Sequence, residues 1–391
     1  MWKNRILYVI IVFAALVSYI MADRSEALVF LCVLLVIPLT VLFIQVFAMR
    51  SISIRCDVKA TCRTGTSTPV VFTLVKNNKM PLGIVHVNVI FNNIMFAEKK
   101  VVSLNLQPGE EKTMVFEYHF FAGDCGALKI CVSNADYYDM LGLFKWRRTV
   151  SIEKEVRVYP PELHLNTKLS RRPETKSFGE LYDQYKKGQD VSEVADLRDY
   201  VDGDSMSSIH WKLSGKLDRM IVREFGSPSN YNTLILYEMM KMSKGSHISN
   251  SCNNGVLALT TALSYSMMEM GLEHNVGRIY MRELQTVPVN SFRTHEQMAE
   301  NLLYIPIQKE DNGGNTSYIF LRGNYRNKYT KIIYITPTYD EDSLKQIADE
   351  ADLMVIHVVE GKNLEYVTRM DYTVIPVNVD NYQDSIYNIV L

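Results

Sequence analysis

A chain of 391 residues, with 47% hydrophobic and 22% charged residues, is long enough for two folded domains and an additional segment. Its formal net charge of -1 gives no electrostatic basis for binding nucleic acid, so nucleic acid is excluded as a partner. The six cysteines form no CxxC pair, which argues against a zinc knuckle or a dense disulfide framework. Pairing of Cys56 with Cys62, or of Cys125 with Cys131, stays open if that region is extracellular.

Two long apolar runs stand at the N-terminal end. They extend from Ile6 to Met21 and from Ala27 to Met49, with a short polar turn, Asp23 to Glu26, between them. Each run is close to the ~20 residues that a membrane helix needs. A cleaved signal peptide is the alternative for the first run, because Lys3 and Arg5 precede it. The second run follows at once, which favours a helical hairpin that crosses the membrane twice.

The charges that flank the hairpin predict its orientation. Lys3 and Arg5 precede the first run, and only Arg24 lies in the turn. Four basic residues follow the second run: Arg50, Arg55, Lys59 and Arg63. By the positive-inside rule both ends of the hairpin are cytoplasmic. We therefore expect a multi-pass protein of the cell membrane, held in the lipid bilayer by residues 1–50, with its soluble domains facing the cytoplasm.

Residues 51–160 change to short alternating segments separated by turns. The predicted strands are Val70–Lys76, Gly83–Phe91, Lys112–Phe120 and Ala127–Ser133. Strands at this spacing indicate a small immunoglobulin-like β-sandwich. Residues 161–190 are polar, contain Arg171-Arg172-Pro173, and are predicted to be a linker.

The region from residue 191 to residue 391 begins with the segment Asp196–Phe225, called here the signature segment. Asp202-Gly203 is a turn signal, and Asp204 is placed to accept the first donors of a short helix. Ile209, Trp211 and Leu213 supply apolar anchors, and Ile221-Val222 reads as the start of a strand. Donors are supplied by His210, Lys212 and Lys216.

Two interpretations of the signature segment stay open. It is either a structural clasp at a seam between domains, or a site for a ligand or partner. In both we expect Trp211 to be buried, and Asp204 to accept hydrogen bonds from nearby backbone or from Arg198, because an unpaired buried carboxylate is costly. In a clasp, charged groups satisfy one another; these are Arg198, Asp199, Asp204, Lys212 and Arg223.

After the signature segment, strands alternate with helices, which predicts a doubly wound parallel α/β sheet. The predicted strands are Thr233–Tyr237, Val276–Met281, Lys331–Thr336, Leu353–Val359 and Tyr372–Val377. The predicted helices are Val256–Met270, Thr294–Tyr304, Asp340–Glu350 and Gln383–Ile389. Catalytic motifs are absent: there is no HExxH or GxSxG, and Gly313-Gly314-Asn315 has no following lysine for phosphates.

The signature segment closely resembles that of the bacterial and archaeal domain of unknown function 58 family. Its pattern is Arg-x-Tyr-x-x-Gly-Asp, two to four residues, Ile-x-Trp-Lys-x-Ser-Ala-Arg/Lys, and then Leu-x-Val-Arg/Lys-Glu-Phe. The matching residues are Arg198, Tyr200, Gly203, Asp204, Ile209, Trp211, Lys212, Ser214, Lys216, Val222, Arg223, Glu224 and Phe225. Ser207 stands where the family has Arg, and Gly215 where it has Ala.

A second family hallmark resembles the stretch from Asp139 to Phe144. Asp139, Gly142, Leu143 and Phe144 match it, whereas Met140 replaces the usual Pro. We interpret this stretch as a turn after the last predicted strand, with Leu143 and Phe144 closing the end of the sandwich. No chemistry is assigned to it.

The resemblance implies that the C-terminal domain has a von Willebrand factor A-like fold. The first strand of that fold ends in Asp-x-Ser-x-Ser, whose oxygens hold a divalent cation. Here the stretch is Glu238-Met239-Met240-Lys241-Met242, in which both serines are replaced by methionine and Lys241 opposes a cation. We therefore predict no metal site and no cofactor, and interpret Glu238 as a loop carboxylate.

The sequence thus predicts an α+β multidomain chain: two transmembrane helices, an all-β sandwich and a C-terminal doubly wound α/β von Willebrand A-like domain. The favoured function is a non-enzymatic scaffold. By resemblance, its partner is a MoxR-type AAA+ ATPase, sometimes with a transglutaminase-like membrane protein, in assembly or maturation of a cell-envelope complex. The partner-binding residues are Arg198, Tyr200, Gly203, Asp204, Ile209, His210, Trp211, Lys212, Ser214, Lys216, Arg223 and Glu224.

Two alternatives belong to other classes. One is a hydrolase or metal-dependent enzyme that uses Asp199, Asp204 and His210 as an acid–base or metal cluster. The other is an extracellular adhesin, which requires the opposite membrane topology and an intact cation site.

Overall fold

A computed structural model describes most of the chain. The described residues are 2–22, 25–78, 81, 83–109, 111–163, 165, 182–187, 194–200, 206, 209–228, 233–241, 249–309, 316–323, 325, 328–361, 367–369 and 371–382. They form two compact units. The first is Met1–Pro161 with Leu302–Pro306, and the second is Glu162–Asn301 with Ile307–Leu391.

The described residues contain seven helices and twenty strands. The helices are α1 Trp2–Ala22, α2 Ser25–Arg50, α3 Trp211–Leu217, α4 Asn250–Glu269, α5 Phe292–Leu302, α6 Thr316–Arg322 and α7 Glu341–Ala348. The strands of the first unit are β1 Ile52–Val58, β2 Thr61–Arg63, β3 Ser67–Lys76, β4 Val85–Asn93, β5 Glu98–Leu106, β6 Thr113–Phe121, β7 Gly126–Tyr138 and β8 Lys145–Tyr159. Those of the second are β9 Tyr182–Lys187, β10 Val194–Asp199, β11 Ile221–Pro228, β12 Thr233–Tyr237, β13 Met240–Lys241, β14 His274–Tyr280, β15 Glu283–Val289, β16 Gln308–Lys309, β17 Lys331–Thr336, β18 Asp352–Val359, β19 Val367–Thr368 and β20 Tyr372–Asn378.

Helices α1 and α2 coincide with the two predicted apolar runs. Both are long and apolar enough to cross a membrane, which is compatible with membrane anchoring. The predicted turn is too long, because Ser25 and Glu26 already belong to α2. The Tyr8 hydroxyl, on α1, donates to the Leu34 carbonyl on α2 and joins the two helices.

The last turn of α2 is part of the first unit's hydrophobic core. Ala48 is fully buried in that core, and Gln45 is buried beside it. β1 begins at Ile52, two residues after α2 ends. The Arg148 side chain donates to the carbonyls of Met49 and Ile52, at 3.1 Å each, and so satisfies carbonyl groups at the helix end.

Residues 52–159 fold as two sheets that share one core. The first sheet has the strand order β1-β3-β6 and the second β2-β8-β7-β4-β5. Strand β3 alternates buried and half-buried positions, so that Val70, Phe72 and Leu74 face the core. Side chains from the other sheet meet them there, including Phe91 and Ile130. A β-sandwich was predicted, and the two sheets have that arrangement.

The four predicted sandwich strands lie at β3, β4, β6 and β7, and the sequence missed β1, β2, β5 and β8. β5 and β8 are rich in charged residues, and most of their side chains are exposed. Hydrophobic alternation is weak in such strands, because only one face contacts the core and the outer face carries charges.

The second unit contains a seven-stranded sheet in the order β15-β14-β12-β17-β18-β20-β19. β12 pairs in parallel with both β14 and β17, and β18 pairs in parallel with β17 and β20. The five strands predicted for this region are β12, β14, β17, β18 and β20. The edge strands β15 and β19 are antiparallel to their neighbours and were not predicted.

Three predicted helices correspond to α4, α5 and α7. Helix α6 was missed because it has only seven residues, which is too short for a clear helical period. The predicted helix Gln383–Ile389 lies outside the described residues. The linker prediction for 161–190 was wrong in part. β9 lies inside that range and pairs with β11.

A buried carboxylate on β7 is paired with two cations of β8. The Asp136 carboxylate receives Arg147 Nε at 2.8 Å and Lys145 Nζ at 2.7 Å. Hydrogen bonding to the Arg147 guanidinium is the main reason that the pKa of Asp136 falls from its usual 3.8 to about 2. Asp136 therefore stabilises the fold only while it is ionised.

We expect Asp136→Asn to lower the stability of the sandwich by about 1–2 kcal/mol at neutral pH, since both partners are partly exposed and screened. The folded-state pKa is depressed, so this contribution is complete above about pH 4 and is lost as the pH falls towards 2. Urea unfolding of the detergent-solubilised chain, followed by Trp146 fluorescence with Trp2 and Trp211 changed to Phe, measures it. A variant as stable as the parent at pH 7 would contradict the assignment.

Candidate functional site

The signature segment forms a small antiparallel sheet and one short helix. The strand order is β10-β11-β9, and in β10 and β11 Arg198 pairs with Val222, Leu197 with Arg223 and Asp196 with Glu224. Only the backbone of Arg198, Arg223 and Glu224 is described. Gly203, Asp204 and Ser207 lie outside the described residues, so the predicted role of Asp204 stays a prediction. The Tyr200 amide donates to the Met220 carbonyl, which extends the pairing by one residue.

The described helix α3 begins at Trp211, and the predicted helix start at Asp204 lies outside the described residues. His210 is its N-cap, and its Nδ1 accepts from the Leu213 amide at 3.3 Å. Because Nδ1 accepts this bond, the imidazole is in the tautomer that leaves Nδ1 unprotonated. The predicted donor His210 is therefore an acceptor at this atom, and its role in the described contacts is to begin the helix.

The helix is fastened to β11 by backbone and hydroxyl hydrogen bonds. The His210 amide donates to the Ile221 carbonyl at 2.8 Å. The Ser214 hydroxyl donates to the His210 carbonyl at 3.1 Å and accepts from the Ile221 amide at 2.9 Å. Ile209 is buried and forms an antiparallel bridge with Val222. Ile209 and Ser214, matched residues of the signature segment, thus serve its own fold.

The prediction that Trp211 is buried was wrong, because its side chain is 63% exposed. The buried apolar groups at the contact between α3 and β11 are instead Ile209, Ile221 and Val222. The surrounding side chains are exposed as well, and they combine cations with apolar groups: Lys212, Lys216, Leu217 and Met220. We call Trp211 and these four residues the α3 surface.

The structure does not bring Asp199 and His210 together as a catalytic pair. Asp199 lies opposite Ile221 on one edge of β11, and His210 bonds the same residue from the other edge. Their backbones are therefore about two strand spacings, on the order of 10 Å, apart. Asp199 is exposed and pairs with the Arg219 guanidinium at 3.2 Å.

The Gly215 departure from the family pattern leaves open space in the helix. A Cβ added to Gly215 would meet nothing within 4 Å. The alanine usual in the family would therefore fit the same backbone. The departure costs helix propensity and does not mark a close approach by another group.

A second candidate site lies at the carboxyl ends of β12 and β17. The sheet order reverses between these strands, and ligands of open α/β sheets bind at such a point. Glu238 lies in the loop that follows β12, as predicted, but it is buried, with 8% of its surface exposed. Its Oε1 accepts from the Thr316 amide at 3.2 Å and hydroxyl at 2.7 Å. Its Oε2 accepts from the Thr336 hydroxyl at 3.0 Å and from the Tyr334 hydroxyl.

These four donors occupy the acceptor sites of the Glu238 carboxylate. Burial raises the pKa of the Tyr334 hydroxyl well above its usual value, and the Glu238 charge adds to this, so Tyr334 remains a donor. The part of the chain that the structure describes contains no cluster of three or more His, Cys, Asp or Glu side chains that could hold a metal. The arrangement supports an anchoring role for Glu238, which joins β12, β17 and the start of α6.

A serine–histidine contact resembles a nucleophile–base pair. Ser264 Oγ lies 2.8 Å from His274 Nε2, and His274 Nδ1 lies 2.9 Å from the Leu272 carbonyl. Both side chains are fully buried, and burial lowers the pKa of His274. A substrate has no access to such a pair, so we assign it to packing between α4 and β14.

The fold and site define a protein with two N-terminal helices that suit a membrane, a β-sandwich and a parallel α/β unit that carries the signature segment. Residues 196–366 match the family model described as "Protein of unknown function DUF58", and this match assigns the region to the DUF58 family. The match includes the signature segment from its first residue. The comparison with curated proteins finds no match.

Several solved structures resemble about a quarter of the chain. A cohesin module from a Clostridium perfringens family 33 glycoside hydrolase is 12% identical, over 28% of this chain and 96% of that one, with a TM-score of 0.23. The CARDB domain of a Pyrococcus furiosus protein is 13% identical, over 27% of this chain and 86% of that one, with a TM-score of 0.19. A Listeria innocua β-glucosidase is 16% identical, over 27% and 16%, with a TM-score of 0.19. At these scores the similarities carry no argument about function.

We expect Glu238→Ala to destabilise the second unit by about 2–4 kcal/mol, because it leaves the buried donors of Tyr334 and Thr316 without their acceptor. Glu238→Gln keeps one acceptor oxygen and should cost less. Calorimetry of the full chain in detergent tests this, together with a Mg²⁺ titration that should show weak binding or none. Stoichiometric Mg²⁺ binding at micromolar affinity, lost in Glu238→Ala, would contradict the anchoring role.

Proposed function

We propose that this protein is a non-enzymatic, membrane-anchored scaffold that binds a protein partner through the α3 surface. The observation that carries the proposal is the exposure of Trp211 on a helix that other residues hold in place. Tryptophan is the residue most enriched among the interface positions that dominate binding energy. The two interpretations of the signature segment therefore divide by residue: Ile209 and Ser214 are structural, and Trp211 with its lysines binds the partner.

The chemistry of the α3 surface specifies the partner's surface. Trp211, Leu217 and Met220 require an apolar pocket, and Lys212 and Lys216 favour an acidic rim around it. By family resemblance, the partner is a MoxR-type AAA+ ATPase, with a transglutaminase-like membrane protein as a second candidate. The process would be assembly or maturation of a cell-envelope complex. This step rests on analogy with the family.

We also propose finer fold assignments for the two units. The seven-stranded sheet, with its order reversal between β12 and β17 and an antiparallel edge strand β15, supports a von Willebrand A-like domain. In the sandwich, β2 runs parallel to β8 at the edge of the larger sheet, while the other pairings are antiparallel, which supports an immunoglobulin-like arrangement. An A-like unit with Glu238 engaged by its own chain favours protein binding without a bridging cation.

Trp211→Ala and Lys212→Ala are expected to leave folding intact, with changes in stability within about 0.5 kcal/mol, because both side chains are exposed. Both should greatly reduce co-purification of a crosslinked partner from cells. Ser214→Ala should behave oppositely and destabilise the segment by about 1–3 kcal/mol, because the Ile221 amide loses its acceptor.

A matched control for these variants is Met281→Ala, which also removes an exposed apolar side chain in the second unit. It should change neither melting nor co-purification. If Trp211→Ala lowers the melting temperature as much as Ser214→Ala, the residue is structural and the proposal fails. Turnover of a substrate that His210→Ala abolishes, with folding intact, would favour the enzyme alternative.

The soluble bulk of the chain is proposed to face the cytoplasm, because basic residues lie outside both ends of the hairpin. A cytosolic reporter fused after Phe225 should then be active, and alkaline phosphatase at the same point inactive. The opposite pattern would contradict the topology and favour the adhesin alternative. A fusion between the two apolar runs, after Arg24, is the control and should show the reverse pattern.

A further inference from the structure

We propose that the turn Asp139–Phe144 of the sandwich is a membrane-contact loop that dips into the lipid headgroup region. The proposal rests on the membrane anchoring argued above, and goes beyond it by assigning a lipid-binding surface to the soluble domain. It starts from hydrogen bonds that join this turn to the first turn of α1. Asn4 Nδ2 donates to the Leu141 carbonyl at 3.0 Å, and Arg5 Nε donates to the Leu143 carbonyl at 2.8 Å.

These hydrogen bonds determine where the turn lies along the axis of α1, relative to the apolar residues of that helix. The long apolar run of α1 begins at Ile6, immediately after Arg5. A turn bonded to Asn4 and Arg5 therefore lies at the boundary where the hydrophobic part of α1 starts. Leu143 points inward and is buried, so the loop is anchored on its sandwich side.

Helix α2 gives a second estimate of where the hydrocarbon layer ends relative to the sandwich. Ala48 of α2 is buried in the sandwich core, and Gln45, one turn earlier, is also buried. The part of α2 that precedes Gln45, about 20 residues, measures about 30 Å at 1.5 Å per residue, which is the thickness of the hydrocarbon layer. Arg148, which holds the end of α2, belongs to β8, the strand that follows the turn.

The turn itself is rigid and exposes its apolar residues. The Asp139 carboxylate accepts from the Phe144 amide at 2.7 Å and from the Leu141 amide at 3.2 Å. The Gly142 amide donates to the Asp139 carbonyl at 3.1 Å. Met140, at the tip, is 65% exposed, and Leu141 is exposed beside it. Because the backbone is held, these side chains are presented outward at little further entropic cost.

The charges around the turn match an anionic bilayer surface. Lys3 and Arg50, at the two hairpin ends, are exposed, and Arg147 of β8 is largely exposed while it pairs with Asp136. Basic residues near a bilayer gain attraction from anionic lipids, and apolar side chains beside them bury in the interface. The occupant that fits both features is therefore a lipid surface with anionic headgroups.

Tryptophan quenching by brominated lipids tests the proposal in the full chain. The chain carries Trp2→Phe, Trp146→Phe and Trp211→Phe and is reconstituted in vesicles of phosphatidylcholine and phosphatidylglycerol. Single tryptophans are then placed at three equally exposed hydrophobic positions: Met140→Trp in the turn, Phe13→Trp in α1 and Phe121→Trp on β6. Phe121 pairs with Ser67, at the opposite end of β3 from the Lys76–Ile52 pair that follows α2.

Bromines near the glycerol should quench the Met140→Trp chain on the order of twofold, since interfacial side chains lie about 5–10 Å into the headgroup boundary. Bromines near the chain ends should quench the Phe13→Trp chain, and neither lipid should quench the Phe121→Trp chain. If the residue at position 13 is quenched and that at 140 behaves like that at 121, the loop does not contact lipid and the inference is overturned. Without quenching at position 13, membrane anchoring fails first, and the inference falls with it.

Discussion

The first unit depends on one constraint: helix α2 runs into the sandwich core without a flexible joint. Ala48 is buried among core residues of both sheets, and β1 begins two residues after the helix ends. A larger side chain at this position would have to displace core residues, which is costly in a close-packed interior. The direction of α2 therefore determines the direction of β1. If α2 crosses a membrane, as we propose, this joint would set the orientation of the sandwich relative to the membrane, whereas a mobile tether would not.

In the second unit, the groups that stabilise the fold differ from the side chains that are exposed for binding. In the signature segment the Ser214 hydroxyl and the His210 and Ile221 backbone groups hold α3, while Trp211 and its neighbouring lysines are left to solvent. At the sheet's order reversal, the Glu238 carboxylate is engaged by four donors of its own chain. The first site presents exposed side chains on a helix held by hydrogen bonds, whereas the acceptor oxygens of the second are already bonded within the chain. This difference is why the proposed function rests on the α3 surface.

The sequence predicted an element correctly where its buried residues recur at the regular spacing of a strand or a helix. β12, β17 and β18 are near-continuous apolar strands, and α4 carries its apolar residues at helical spacing, so their type could be predicted. Prediction failed for β5 and β8, whose charged outer faces hide the alternation. The prediction that Trp211 is buried also failed. A large apolar side chain can pack in the core of its own chain or in an interface with another molecule, and the residue type does not distinguish the two. The Glu238 network was missed because its donors come from residues 78 to 98 positions away.

In the turn Asp139–Phe144, a single glycine, Gly142, allows both the backbone conformation of the turn and its contact with α1. Gly142 has a φ of +67°, which is strained for residues with a Cβ, and an added Cβ would lie 2.6 Å from Asn4 Nδ2. The same glycine thus permits both the tight turn and the close approach of α1. Met140 stands two residues earlier, where the family pattern has proline, and its side chain is exposed. A flexible apolar side chain at the tip of a rigid turn suits contact with lipid, because the turn supplies the position and the methionine adapts to a fluid surface.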